Sequence, residues 1–544
     1  MPKPAPGRAG PAGRDGRPRR AGFLTFAVIA AATLIGIAGC THVTAFGSGA
    51  GGDGTSGAGA SGRNGSAPGA SSAPHWHLCS PGAAQLRCGQ IQVPLNYSDP
   101  GGRKITLALS EVPAAVPPGQ QKGILLVNPG GPGGSGTSLA GFVAQQLDPR
   151  VAAEYTIIGF DPRGVGASVP ALHCDRSFFS KARPNYIPAS PAAEKVLENR
   201  AKQYASDCGR RFGWLLPYMT TVNVARDMDK IRAAMGQRKL SYLGYSYGTY
   251  IGQVYATLFP QRVRHLVLDS TVDPTGVWYN DNIAQDYAFQ GRQTAFLAWM
   301  AKYDTAYHMG RTVAAVRRSW YQARNKLAQH PIPGPSGTPL IGADEYDDTM
   351  LVGGYDDSYW PGLAAAMSSY LQTGATSQMI SMYNEIGKQD ENEFAVYNAV
   401  ECADVAWPRT WSKWDADARK VYATAPVEAW DNLWFNAACA FWPVHGPAAA
   451  LKIGARGLPG ILMLQGTLDG ATPYQGAQDA HRLLPTARMV VVQGGGNHGQ
   501  SLAVPPDACV NGYLNRYLAT GALPSAPGLI NATCPALPAP TPSG

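Results

Sequence analysis

A mostly parallel β-sheet flanked by helices and interrupted by a helical insertion is the fold class that the sequence predicts, and three observations predict it. Short β-rich runs bounded by Gly and Pro recur at 104–112 (KITLALSEV), 123–131 (GILLVNPGG), 155–164 (YTIIGFDPRG), 240–246 (LSYLGYS) and 263–270 (VRHLVLDS). Helix-period stretches such as 222–235 and 250–259 lie between several of them. Two further runs, GILMLQGTLD at 460–469 and ARMVVVQGGGNH at 487–498, resume the pattern after a long stretch that lacks it. Strands that alternate with helices are joined by crossovers, and crossovers align neighbouring strands in parallel.

The chain begins with a basic stretch ending in Arg19 and Arg20, followed by an apolar run over 21–39 that closes on IAGC. A positive flank, an apolar middle and small residues before the cut are the parts of an export signal, expected over 1–39. The closing box resembles a bacterial lipoprotein signal, which implies that Cys40 carries a lipid anchor to the outer face of the membrane. A retained membrane span is the alternative, since about 20 apolar residues cross a bilayer. Both place the remainder outside the cytoplasm. Residues 40–74 are nearly all Gly, Ser and Ala, too poor in apolar groups to form a core, and are expected to be a flexible tether of roughly 30 Å reach.

The next segments follow from the strand pattern: a first part of the sheet domain over 75–272, a helical cap over 273–442 rich in Trp and Tyr, the rest of the sheet domain over 443–536, and a Pro-rich tail over 537–544. No internal repeat is apparent. The formal charge is +8, but +5 of it lies in the first twenty residues. What remains is small and dispersed, which excludes a nucleic-acid partner, because phosphate binding needs clustered Lys and Arg.

Of the nine cysteines, eight remain once Cys40 is assigned to lipid. An even number in an oxidising compartment points to disulfides. Pairing neighbours along the chain gives Cys79 with Cys88, Cys174 with Cys208, Cys402 with Cys439 and Cys509 with Cys534. The competing reading, a zinc or thiol site, lacks the CxxC pairs with flanking His that it needs. No metal or organic cofactor is expected, and the chain is expected to be a monomer.

The chemistry centres on Gly244-Tyr245-Ser246-Tyr247-Gly248, set between a strand-like and a helix-like run. A sharp strand-to-helix turn forces its middle residue into a strained conformation and holds Ser246 out at the end of the sheet. The following helix turns its N-terminal N–H groups toward the same point, where they favour negative charge. A serine hydroxyl needs an imidazole to take its proton, and in this frame an acid and then a histidine follow it along the chain. Asp469 and His498 end the two late strands in that order. Asp269 and Asp273, after an earlier strand, are the rival acids. His265 lies inside a strand-like run and His481 inside a helical one, so both are read as packing residues. Backbone donors for an oxyanion are expected from Asn128-Pro129-Gly130-Gly131-Pro132-Gly133-Gly134, through Gly131, and from the amide of Tyr247. Two prolines and the wrong glycine spacing argue against a dinucleotide-binding turn there.

GGPGG after a strand, FDPRGVGAS some thirty residues later, GYSYG, and the late Asp and His together resemble the proline iminopeptidase and tripeptidyl aminopeptidase family, across roughly 77–535. The usual histidine before GGPGG is Pro129 here, a form more similar to the actinobacterial tripeptidyl aminopeptidases. The resemblance implies an α/β-hydrolase fold and cleavage of short peptides from a free N-terminus, with acidic cap residues holding the substrate ammonium. A desolvated ammonium needs a carboxylate partner, and Glu401 and Asp404 of AVECADVAWP are the candidates. Asp161 and Arg163 of FDPRG are read as an ion pair that organises a loop. Two other readings stand beside this one: a carboxylesterase using the same triad, and a non-catalytic peptide-binding lipoprotein on a degenerate hydrolase fold.

Overall fold

The computed structural model describes residues 73–80, 85–335 and 337–542. The expected signal segment, Cys40 and all but the last two residues of the tether lie outside the described residues.

Ten strands form one sheet: β1 (His77–Leu78), β2 (Arg87–Pro94), β3 (Lys104–Val112), β4 (Ile124–Asn128), β5 (Thr156–Phe160), β6 (Leu240–Tyr245), β7 (Val263–Asp269), β10 (Ile461–Gly466), β11 (Ala487–Gln493) and β12 (Ala532–Pro535). A separate hairpin of β8 (Ile332–Pro333) and β9 (Pro339–Ile341) lies in the insertion. The sheet order is β1-β2-β3-β5-β4-β6-β7-β10-β11-β12. From β5 onward every neighbouring pair is parallel, whereas β1, β2 and β3 are antiparallel. Each of the seven β-rich runs read from the sequence contains a strand of this sheet. β1, β2 and β12 were not among them; β2 (RCGQIQVP) alternates buried with exposed residues, as an antiparallel strand near an edge does.

Burial on both faces explains the continuous apolar runs of the central strands. Leu125, Val127, Leu243, Tyr245, Leu462 and Leu464 point to one side, against helices Leu139–Gln146 and Ala508–Thr520. Leu126, Tyr242, Leu266, Leu268 and Met463 point to the other, against Thr221–Ala234 and Tyr247–Leu258. Period-two alternation of apolar residues on both sides is what a parallel sheet covered by two helical layers requires.

The insertion between β7 and β10 is helical, with Tyr279–Lys302, Val313–Gln329, Ala343–Tyr355, Trp360–Thr373, Glu391–Asp404, Trp411–Tyr422 and Ala429–Asn436 as its main helices. Phe296, Trp320, Tyr346, Trp360 and Met367 give it a core of its own. The segment between β5 and β6 joins it: Trp411 Nε1 donates to Glu194 at 3.0 Å, and Trp434 Nε1 to the carbonyl of Tyr186 at 2.9 Å. Disulfides join Cys79 to Cys88, Cys174 to Cys208, Cys402 to Cys439 and Cys509 to Cys534, neighbour with neighbour along the chain. Such bridges persist in an oxidising, extracytoplasmic compartment. Among the described residues no helix is long and apolar enough to cross a membrane.

Between β5 and β6 the sheet reverses direction of growth at β4, and the loops leaving the C-terminal ends of β4 and β6 open a crevice there. This is where open α/β sheets bind ligands.

Candidate active site

Ser246 follows β6 and caps the helix Tyr247–Leu258 with φ 55° and ψ −128°, a left-handed conformation that costs a non-glycine residue of order 1–3 kcal/mol. The surroundings hold it in place. Ser246 N donates to Asp269 O at 3.1 Å, and its carbonyl accepts from Thr249 N at 2.8 Å and Thr249 Oγ1 at 2.6 Å. The flanking glycines are required by contact: a Cβ on Gly244 would lie 2.4 Å from Gly248 O, and one on Gly248 2.9 Å from Asn128 Oδ1.

His498, after β11, lies within hydrogen-bond reach of Asp469, after β10: its Nδ1 is 3.0 Å from each carboxylate oxygen. Asp469 also accepts from Ala471 N and Thr472 N, both at 3.0 Å, and from Thr472 Oγ1 at 3.1 Å. These contacts occupy both oxygens of Asp469 and hold the imidazole by its Nδ1 edge, which leaves Nε2 outside the Asp469 contact. His498 is 2 % exposed, and its Nε2 is buried without a hydrogen-bond partner.

The glycine run after β4 packs directly on the turn that carries Ser246. A Cβ on Gly130, at φ 109°, would sit 2.7 Å from both Ser246 Cβ and Tyr245 O. Gly131 and Tyr247 line the same cavity as Ser246, and Tyr247, at the first helical position, has an N–H without an intrahelical acceptor.

That cavity, about 220 Å³, runs from Ser246 under the cap. Its wall includes Asp273, Asp281, Glu393 and Glu401, and among the described residues that line it there is no Lys, Arg or His. Glu401 is 3 % exposed and accepts from Asn282 Nδ2 at 3.3 Å. Burial pushes its carboxyl well above the ordinary range, and Glu393 up to about 8. One oxygen of Asp281 is buried with no hydrogen-bond partner. Desolvated carboxylates with nothing positive among them are matched by a cationic guest.

Residues 123–503 match the α/β-hydrolase fold family, a span that holds Ser246, Asp469 and His498. A tripeptidyl aminopeptidase of Streptomyces lividans is 38 % identical over 460 residues, covering 82 % of this chain and 83 % of that protein. The chain is an α/β hydrolase of the tripeptidyl aminopeptidase family. The serine protease Hip1 of Mycobacterium tuberculosis is 32 % identical over 466 residues, covering 80 % of this chain and 86 % of that protein. Carboxylesterase B of the same organism is 30 % identical over 455 residues, covering 80 % and 85 %.

The remaining residues singled out in the sequence take other positions in the hydrolase. Asp404 does not line the cavity: its two oxygens accept from Thr221 N at 2.7 Å and Thr221 Oγ1 at 2.5 Å, and Thr221 Oγ1 lies 2.8 Å from the hydroxyl of Tyr247. One helical turn beyond the cavity-facing Glu401, it secures the helix Thr221–Ala234 from behind. Asp269 accepts from Gln500 N at 2.7 Å, Ser501 N at 2.8 Å and Ser501 Oγ at 2.5 Å, so it anchors the loop that follows His498. Asp273 lines the cavity and accepts from Thr275.

Asp161 and Arg163 do not pair with each other, contrary to the expectation. Both are buried and each finds a nearer partner: Arg163 forms a bidentate pair with Asp227 at 2.8 Å, while Asp161 accepts from Ser135 Oγ at 2.7 Å and Gly136 N at 3.0 Å. Asp161 thereby fixes the end of the glycine loop. His265 lies 3.0 Å from Tyr155 Oη and His481 3.3 Å from Asn531 Oδ1, both away from the cavity.

Four residues around this site escaped the sequence reading. Thr472 was detectable, being an Asp-x-x-Thr turn after the proposed acid. Tyr355, whose ring meets His498 edge-on with centroids 5.6 Å apart, and Asn497 with its cap partner Asp357 act across about 140 residues of chain, and no local signal marks them.

Proposed function

We propose that this hydrolase is an exported aminopeptidase that releases tripeptides or similar short units from free N-termini through an acyl-enzyme on Ser246. In this reading His498 Nε2 takes the proton as Ser246 Oγ attacks the scissile carbonyl, and Asp469 steadies the imidazolium that results. The N–H groups of Gly131 and Tyr247 receive the oxyanion, a contribution of about 2.7–4 kcal/mol for one such donor. His498 then gives its proton to the leaving amine, and water repeats the sequence to free the acyl group. Glu401 holds the substrate ammonium, with Asn282 fixing its carboxylate. The observation that carries the peptidase reading is the cavity beside Ser246, walled by buried carboxylates without a cation. The name of the Streptomyces relative supports the same substrate class.

The test compares tripeptide anilides with free and acetylated N-termini, alongside simple acyl esters. Strong preference for the free amine is expected. Indifference to acetylation, or turnover of esters alone, would instead favour the carboxylesterase reading that the 30 % identical relative suggests. Fluorophosphonate labelling that survives Ser246→Ala would refute the nucleophile. Cys40 as a lipid anchor belongs to the same proposal: Cys40→Ser should move the protein from the membrane fraction to the medium.

A further inference from the structure

Beyond Glu401 the cavity carries a second group of carboxylates. Glu428, Asp348 and Asp431 line it, and Asp286 lies beside them, accepting from Asn432 Nδ2 at 3.0 Å. Two guanidiniums serve the surrounding acids. Arg183 bonds to Glu345 at 2.9 Å and to Asp348, and Arg324 to Asp347 at 2.6 Å, with Asp344 at 3.7 Å. Four carboxylates are thereby answered. Asp286, Glu428 and Asp431 have no ion-pair partner among the described residues.

Glu428 is the informative member. It is 6 % exposed, its Oε2 has no hydrogen-bond partner, and it lines the cavity. A buried carboxylate left with an unused oxygen costs free energy unless a donor or cation reaches it. Burial raises the carboxyls of Glu428 and Asp286, the latter to about 7, and an adjacent cation favours their ionised form. One terminal ammonium satisfies one of the two carboxylate groups, not both. Leu351, Tyr355 and Phe435 supply apolar wall in the same cavity, which suits the methylene stem of a long basic side chain.

We propose that Glu428, with the unpaired Asp431 lining the same cavity, is a specificity subsite for a lysine or arginine side chain of the peptide whose amino terminus is held at Glu401. The subsite rests on the aminopeptidase reading and adds its preferred substrate class: short peptides that carry a basic residue besides the free amine.

The test uses the full-length enzyme and free-amine tripeptide anilides in which Lys replaces norleucine at each of the three positions in turn. At one position the wild type should favour Lys by about tenfold in kcat/KM, and Glu428→Gln should bring that ratio close to one; tenfold corresponds to about 1.4 kcal/mol. No preference for Lys at any position overturns the subsite. So does an equal loss of Lys and norleucine substrates in Glu428→Gln, which would put the terminal ammonium itself at Glu428. Should Glu428→Gln fail to fold, as judged by fluorophosphonate labelling, Asp431→Asn and the wild-type ratio decide the matter. Failure of the aminopeptidase reading is separate: it shows as indifference to N-acetylation with either side chain.

Discussion

Asn497 and Asp357 are joined by two reciprocal hydrogen bonds, Asp357 N to Asn497 Oδ1 at 3.0 Å and Asn497 Nδ2 to Asp357 Oδ1 at 3.1 Å. The pair bolts the cap to the loop that carries His498. The next residue extends the seam, with His498 N donating to Tyr355 O at 2.7 Å. Arg292 lies across the loop as well: a Cβ on Gly496 would be 1.8 Å from its Nη1, so a larger residue there would have to displace the guanidinium. The cap therefore does more than cover the cavity. It sets where the imidazole stands.

Asn497→Ala should accordingly lower kcat about 10- to 100-fold with a smaller change in KM, since a small misplacement of a catalytic group costs that much. Fluorophosphonate labelling should slow in parallel. Unchanged labelling would mean that His498 keeps its position without the seam.

Thr472→Val removes the hydroxyl that donates to Asp469 Oδ2 at 3.1 Å. A roughly tenfold loss of kcat/KM is expected, as for other groups that orient a catalytic residue's partner, with Thr472→Ser restoring most of it. Fluorophosphonate labelling should slow in the Val variant and recover in the Ser variant; equal losses in both would indicate a packing role only.

Gly130→Ala combines a positive φ of 109° with a Cβ placed 2.7 Å from Ser246 Cβ. Loss of activity and a destabilisation of about 2 kcal/mol are expected. Wild-type turnover in this variant would show that the glycine loop retracts from the nucleophile turn.

Burial raises Asp269 from 3.8 to about 6 despite its donors from Gln500 and Ser501. A raised carboxyl favours the folded state while protonated, so its contribution is present below pH 4 and is lost as pH rises through about 6. The thermal midpoint of the wild type should therefore fall relative to that of Asp269→Asn between pH 4 and pH 6. A constant difference across that range would contradict the raised value.

Much of the fold was legible along the chain because strand and helix periods are local. The runs around 240–270 alternate buried side chains on both faces, and GYSYG combines the strained turn with the two glycines that Gly244 and Gly248 need for mutual contact. Asp469 and His498 were legible for the same reason: each ends a strand, and parallel strands deliver their C-terminal ends to one edge. Antiparallel β2 and the short edge strands β1 and β12 escaped, being brief or half exposed.

By itself, then, the sequence determined the parallel strands of the sheet, the strained turn at Ser246 and the chain order of Asp469 and His498, all of them properties of short windows or of chain order, while the pairing of neighbouring cysteines stayed an expectation until the structure joined them. Tertiary structure alone decided which acids face the cavity. Glu401 and Asp404 stand three residues apart on one helix, yet one lines the cavity and the other is consumed by Thr221; Arg163 chose Asp227 over Asp161; Asn497 found Asp357 in the cap. Each of those outcomes depends on which charged or polar group another element presents at hydrogen-bond distance, and burial makes that partner decisive, because a desolvated charge must be answered wherever the chain happens to bring it.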